Sequence, residues 1–160
     1  MSTVIETAMV LAAGKGTRMR HLSKDRPKPL IKVAGKPLID YALDRFAGAG
    51  VTRAVVNVHY LADQIERHVQ KRRAPAIVIS DERSALLETG GGLMNALPLL
   101  GEAPVFCTNT DAILLDNGRE ACANLAGHWR DDAMDALLLL APIAETSGYD
   151  GAGDFDLGAD

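Results

Sequence analysis

The sequence predicts an α/β domain in which a mostly parallel sheet is covered by helices on both faces. Three observations lead there. Short apolar runs of strand length alternate with stretches whose apolar residues recur at helical spacing, the pattern of repeated strand–helix–strand units. Several of those runs are nearly continuous rather than alternating, as in strands buried on both faces. The first of them, TAMVLAA at residues 7–13, stops at the glycine loop AGKG, and in open parallel sheets ligands gather beyond the carboxyl ends of strands. With 160 residues, 48% of them hydrophobic, the chain can build one domain with a sizeable core.

Each element follows in order. Ala8–Leu11 is the first strand. Pro37 and Leu38 open a helix whose apolar residues Leu38, Ala42, Leu43 and Phe46 share one face, and it ends before Gly48 and Gly50. Arg53–Val58 is a second strand, and Leu61, Ile65 and Val69 mark one face of a second helix. A third strand over Ala76–Ser80, a short helix over Gly91–Leu97 and a fourth strand over Val105–Thr108 come next. Arg119–Trp129 returns to helix, and Asp135–Leu140 reads as a long apolar strand. From Glu145 to Asp160 the chain is rich in Gly and Asp and has little to bury, so it is either a flexible end or the opening of a further element. Two loops share the carboxyl edge of the sheet: the one after Leu11, and Asn109-Thr110-Asp111 after the fourth strand.

Composition removes several function classes. The longest apolar run, ALLLLAPI, is strand-sized and short of the roughly 18 residues a membrane span needs. The N-terminus lacks a basic, then apolar, secretory leader. Cys107 and Cys122 fit no metal spacing and read as buried free thiols, which points to the cytoplasm. A net charge of −4 leaves no domain-wide basic footprint for nucleic acid.

Local charge is different. Residues 15–36 hold Lys15, Arg18, Arg20, Lys24, Arg26, Lys28, Lys32 and Lys36 against one acid, Asp25. Gly14 and Gly16 allow close backbone approach to an anion, Arg18 offers a bidentate phosphate grip and Lys15 a point charge. Pro27 and Pro29 stiffen the root of Lys28. The loop is built for a polyanion, but it is neither a Walker A loop nor a dinucleotide fingerprint, because Met19 stands where each needs glycine.

The run LAAGKGTRM…PKPL…VAGKPLIDYAL resembles the signature of the sugar-1-phosphate nucleotidyltransferases, over nearly the whole chain. Within that family LLETGGGL at 86–93 is similar to the bacterial N-acetylmuramate α-1-phosphate uridylyltransferases of cell-wall recycling, where many other members have a GTAG-like stretch. The resemblance implies a Rossmann-like (GT-A-type) three-layer sandwich and transfer of a uridylyl group from UTP to a sugar 1-phosphate with Mg²⁺. By the same resemblance Leu11, Ala12 and Ala13 would belong to the nucleotide site and Gly14, Lys15, Gly16, Thr17 and Arg18 would wrap the triphosphate, with Arg18 neutralising the leaving pyrophosphate. Lys28 would contact the phosphate under attack, Thr89 and Gly90 would meet the base, Asp111 would hold Mg²⁺, Asn109 would stand beside the sugar phosphate and the backbone of Gly153 would touch the sugar. Thr110 and His21 depart from the glycine and proline common at those places. Family members continue well past residue 160. The resemblance therefore implies a domain over 1–160 whose nucleotide half is complete and whose sugar half, with a second metal aspartate, is not; the apolar surface so left would favour self-association.

The chemistry suits these residues. A sugar-phosphate oxygen is already an anion near neutral pH, so in-line attack on phosphorus requires positioning and charge stabilisation rather than a general base. No nucleophile–base set competes: Cys107 lies in a strand, and His21, His59, His68 and His128 show no supporting spacing. A transferase for another pair, such as GTP with mannose 1-phosphate, and a nucleotide-binding fragment without chemistry stay open at this point.

Overall fold

The first strand, β1 (Thr7–Leu11), runs into the glycine loop and then into two 3-10 segments, Thr17–Ser23 and Lys28–Leu30. A hairpin follows, β2 (Lys32–Val33) against β3 (Lys36–Pro37). Its two turn residues, Ala34 and Gly35, have φ of 49° and 81°, as a type I′ turn requires at both positions. Then come α1 (Leu38–Gly48), β4 (Arg53–Val58), α2 (Ala62–Val69), β5 (Ala76–Asp81), α3 (Glu88–Leu100), β6 (Phe106–Asn109) and α4 (Ala121–His128). This computed structural model describes residues 4–115, 120–156 and 158, apart from the side chains of Arg18 and Arg20.

The four long strands form one parallel sheet in the order β5-β4-β1-β6. Alternate residues of each strand feed the two faces. Ala8, Val10, Ala54, Val56, Val58 and Phe106 meet Ile39, Leu43 and Phe46 of α1, Ile65 and Val69 of α2, and Cys122 of α4. Met9 and Val55 face the other way, against Ala96 and Leu100 of α3. Three layers result. After β1 the chain winds outward through β4 to β5 with α1 and α2 on one face; α3 then carries it back across the opposite face to β6, on the far side of β1. The loops after β1 and β6 therefore diverge, and a crevice opens between them at the sheet's carboxyl edge, the position where doubly wound sheets bind ligands.

Polar contacts tie α2 to α1. His68 Nε2–H donates to Asp40 at 2.9 Å, and Arg72 bridges Asp40 and Asp44 at 3.2 and 2.5 Å. Lys36 Nζ of the hairpin also reaches Asp44, at 2.6 Å, and lies 4.5 Å from the centre of the Tyr41 ring. Partial burial pushes Asp44 up, but hydrogen bonds and charge from Lys36 and Arg72 outweigh it and hold the carboxyl below its ordinary value. Across the top of α2, Arg83 is held by Asp63, Glu66 and Asp81.

Three expectations are corrected. Asp135–Leu140 forms no strand: among the described residues it joins neither sheet, and Leu138, Leu139 and Leu140 stay exposed. The run is apolar, but Ala and Leu lack the β-branched bulk that favours a pleated surface, and a strand exists only where a neighbour bonds it. The helix placed at Gly91–Leu97 extends over Glu88–Leu100, through three successive glycines and Pro98. There the apolar stripe Gly92, Ala96 and Leu100 packs on the sheet and overrides local propensity. Of the two thiols, both free, only Cys122 is buried. Cys107 keeps solvent access on the α3 side of β6, which α3 does not cover, although its surroundings remove enough water to push the thiol above its ordinary value. Arg119, placed at the start of α4, lies outside the described residues.

Candidate active site

The crevice is a cleft of about 290 Å³ lined by Leu11–Gly14, Lys28, Pro29, Asn57, Leu86, Glu88, Thr89 and Asn109–Asp111. Each group arrives there for a local reason. Ala12 and Ala13 continue β1 and are almost fully buried, so they form the floor. Gly14 has nothing within 4 Å of the place its Cβ would occupy; the loop presents bare backbone to open space. Gly16 is glycine for another reason. Its φ is +64°, and a Cβ there would stand 2.9 Å from Lys28 Cβ and 3.3 Å from Ser23 Cβ. The turn is closed by Ser23 Oγ and Met19 N, which donate to Gly16 O at 2.8 and 2.9 Å. The basic segment is thus folded back so that Lys28 lies against the glycine loop.

Lys28 is rooted firmly. Pro27 and Pro29 are both fully buried, and Tyr60 Oη donates to Lys24 O at 2.8 Å, pinning the segment to the start of α2. From this root the ammonium reaches Asp111 at the end of β6, Nζ to Oδ2 2.6 Å, across 83 positions of sequence. The pair is half-open to solvent, with the two side chains 20% and 40% exposed. Thr110, between Asn109 and Asp111, is 5% exposed, and its hydroxyl lies 3.4 Å from Leu11 O. The β-branched residue therefore faces the first strand and leaves its neighbours facing the cleft.

The structure gathers Leu11, Ala12, Ala13, Gly14, Lys28, Thr89, Asn109 and Asp111 around one cleft. Lys15, Gly16, Thr17 and Gly90 lie beside it without lining it, and Gly153, with φ of +100°, lies in the exposed C-terminal segment away from it. The backbone of Arg18 belongs to the 3-10 segment after the glycine loop; its side chain lies outside the described part. Pro29, Leu86, Glu88 and Thr110 line the cleft as well; they stand in stretches that the sequence singles out without giving these residues a role at the site, and Asn57 is the lining residue it misses. Asn57 carried a signal, one amide inside the apolar run AVVNV. Glu88 carried one through its place in LLETGGGL, but nothing in the sequence announced that it lines the cleft at φ +60°, in a region non-glycine residues seldom adopt.

Among the described residues no three His, Cys, Asp or Glu side chains gather to hold a metal. Asp111 is one carboxylate that already accepts a cation, Lys28, at the cleft. A single carboxylate completed by phosphate oxygens and water is how Mg²⁺ is commonly held at nucleotide sites. The donors fit Mg²⁺ arriving with a phosphate ligand.

The family model for the MobA-like NTP transferase domain matches residues 8–141, from the second residue of β1 to beyond α4. The chain belongs to this family. It is 52% identical over its whole length to an N-acetylmuramate alpha-1-phosphate uridylyltransferase of Caulobacter vibrioides, spanning 68% of that protein. It is 47% identical over 66% of its length to the enzyme of that name from Neisseria meningitidis serogroup B, spanning 47% of it. A UDP-glucose pyrophosphorylase structure from Acinetobacter baumanii superposes with a TM-score of 0.64 at 20% identity, over 71% of this chain and 48% of that one. That likeness bears on fold alone, and agrees with the Rossmann-like sandwich and its parallel sheet.

Proposed function

We propose that the chain carries the catalytic cleft of a uridylyltransferase that moves UMP from UTP to N-acetylmuramate α-1-phosphate and releases pyrophosphate. The observation that carries the reading is the Lys28–Asp111 pair, a cation and a cation-binding carboxylate placed 2.6 Å apart where the loops after β1 and β6 diverge. The choice of uracil and of the amino sugar rests on the 52% identity over the full chain.

In this reaction an oxygen of the sugar phosphate attacks the α-phosphorus. One P–O bond forms, the α–β anhydride breaks, and pyrophosphate leaves with the bonding electrons. Each residue has a distinct part. Backbone around Gly14, where no side chain intrudes, lies along the triphosphate, with Lys15, Gly16 and Thr17 shaping the turn. Arg18 neutralises the departing pyrophosphate. Lys28, released from Asp111, contacts the phosphoryl group under attack, where a positioned cation opposes charge building on oxygen. Thr89 and Gly90 meet the base and Asn109 meets the sugar phosphate, while the backbone of Gly153, which does not line the cleft here, would have to move to it to touch the sugar. Asp111 would hold Mg²⁺, which when bound supplies further neutralisation of phosphate charge. Such a reaction draws on cytoplasmic UTP and serves the recycling of peptidoglycan sugars. The exposed Leu138, Leu140 and Ile143, at 57%, 42% and 49%, support self-association of the chain as well.

Pyrophosphate release measured over a matrix of nucleoside triphosphates and sugar 1-phosphates, with and without Mg²⁺, tests the proposal. Preferred turnover of UTP with N-acetylmuramate α-1-phosphate is the expected result. A clear preference for GTP with mannose 1-phosphate would replace the substrates and keep the chemistry; UTP binding without turnover for any pair would reduce this chain to a nucleotide-binding unit.

A further inference from the structure

Beneath the cleft a short polar line crosses the sheet on its α3 face. Asn57 of β4 is 2% exposed, and its Oδ1 accepts the N–H of Ala12 at 2.6 Å. Its Nδ2 donates to Oε1 of Glu82 at 2.8 Å. Glu82 follows β5, is 1% exposed, and leaves Oε2 without a partner among the described residues. Its backbone is fixed on both sides: Glu82 N donates to Val58 O at 2.9 Å, and His59 Nδ1–H donates to Glu82 O at 2.7 Å.

This arrangement is poorly explained as a stabilising device. A buried carboxyl group with one oxygen unpartnered opposes folding, and an apolar pair of similar volume would fill the space at lower free energy. What the arrangement secures is direction. An amide can turn over and exchange its oxygen and nitrogen; with Glu82 Oε1 accepting on one side, the Asn57 oxygen must face Ala12. Leu11 and Asn57 are partners in register, at the last step of the β1–β4 ladder. The Ala12 N–H is therefore the first donor beyond the ladder, and a side chain holds it where backbone pairing ends. A second observation is independent of the first. A Cβ on Gly92 of α3 would stand 2.7 Å from Asn57 Nδ2 and 2.8 Å from Glu82 Oε1. The third glycine of ETGGG leaves the space those two atoms use.

We infer that Glu82 is a positioning residue, which acts through Asn57 to fix the Ala12 amide and the start of the phosphate-facing loop, and that Gly92 is glycine to admit the pair. The nucleotide consequence rests on the proposed function; the hold on Ala12 does not. Asn57→Asp keeps an acceptor for Ala12 but sets two acceptors against each other, whereas the double variant Asn57→Asp with Glu82→Gln restores one donor and one acceptor in nearly the same volume. Gly92→Ala crowds the pair from the helix side. Two readouts serve: hydrogen exchange of the Ala12 amide, with the Val56 amide in the sheet as reference, and calorimetric titration with UTP and Mg²⁺. Asn57→Asp and Gly92→Ala should each speed Ala12 exchange about tenfold relative to Val56 and weaken UTP binding about tenfold, a typical effect for one hydrogen bond to a charged group. The double variant should recover most of both losses. Unchanged Ala12 exchange in both single variants overturns the inference, and so does equal acceleration of Val56, which would mark general loosening. If Asn57→Asp does not fold, Gly92→Ala alone decides. Should the parent chain bind no UTP, the nucleotide reading fails while Ala12 exchange still decides whether the pair positions the loop.

Discussion

Replacing Lys28 by Met separates a catalytic charge from a structural one. Methionine keeps the length and apolar stem that lie between the glycine loop and the cleft, and removes only the ammonium. Among the described residues that ammonium makes one ion pair, to Asp111 at 2.6 Å, with side chains 20% and 40% exposed. Half-open pairs of this kind contribute about 0–1 kcal/mol, because water and salt compete for both partners. In a chain of 160 residues that is a shift of no more than about 2–4 °C in the melting temperature. In the transfer reaction the same charge faces developing negative charge inside a narrow cleft, where losing one positioned donor typically removes about 10²–10³ in turnover, or about 3–4 kcal/mol. The expected signature is therefore a large fall in pyrophosphate release beside an almost unchanged thermal transition. Lys28→Arg should fall between, since it restores charge with a planar fork in place of a compact ammonium. Turnover at the parental rate in Lys28→Met would refute the role. A loss of more than about 3 kcal/mol of stability would instead place Lys28 in the frame.

Other perturbations check other parts of the account. Asp111→Asn removes the carboxylate offered to Mg²⁺, so UTP affinity should cease to rise with Mg²⁺ in calorimetric titrations while melting shifts by no more than about 2–4 °C. Gly16→Ala forces a side chain into φ +64° and to within 2.9 Å of Lys28 Cβ; about 1–2 kcal/mol of strain should appear in urea unfolding, together with weaker UTP binding. Leu43→Ala empties a fully buried position between α1 and the sheet and should lower unfolding free energy by about 2–5 kcal/mol. Asp44 has a folded pKa below its ordinary 3.8, so its contribution is complete above that value and disappears as pH falls through the folded one. The stability advantage of the parent over Asp44→Asn should be steady from about pH 5 to 7 and shrink below about pH 4.

Much of this architecture was legible because apolar spacing reports burial directly. Arg53–Val58 is a strand over the expected residues, since five of its six positions are buried between two helical layers. In α1, Leu38, Ala42, Leu43 and Phe46 all reach the core, at the spacing that identified them. What escaped was non-local. Nothing in the residues around Glu82 announces that its carboxyl turns inward to Asn57, because a charged residue after a strand ordinarily meets solvent. The extension of α3 back over Glu88–Gly90 and on through Pro98 to Leu100 was hidden for the converse reason: local propensity argues against helix, and the restoring contacts come from β1 and β4. Asp135–Leu140 erred in the other direction, an apolar run whose strand character depended on an edge that does not receive it.

The excess of positive charge in residues 15–36 of an acidic chain now divides into two uses. Lys36 belongs to the frame, where Asp44 and the Tyr41 ring hold the hairpin against α1. Lys28 belongs to the cleft, and its partner Asp111 is the residue proposed to receive Mg²⁺. On that reading Asp111 is already paired in the free cleft, by Lys28 rather than by a metal. A nucleotide arriving with Mg²⁺ brings a cation for Asp111 and an anion for Lys28 together, so both groups exchange one partner for another and neither is left bare in the narrow cleft. A triphosphate arriving without the metal would draw Lys28 away and leave Asp111 facing phosphate, like charge against like. The same geometry thus argues that metal and nucleotide bind with mutual reinforcement, in either order of addition. It also explains why a half-exposed ion pair is more useful here than a buried one: it is stable enough to keep Lys28 directed at the cleft and weak enough to open when the substrate enters.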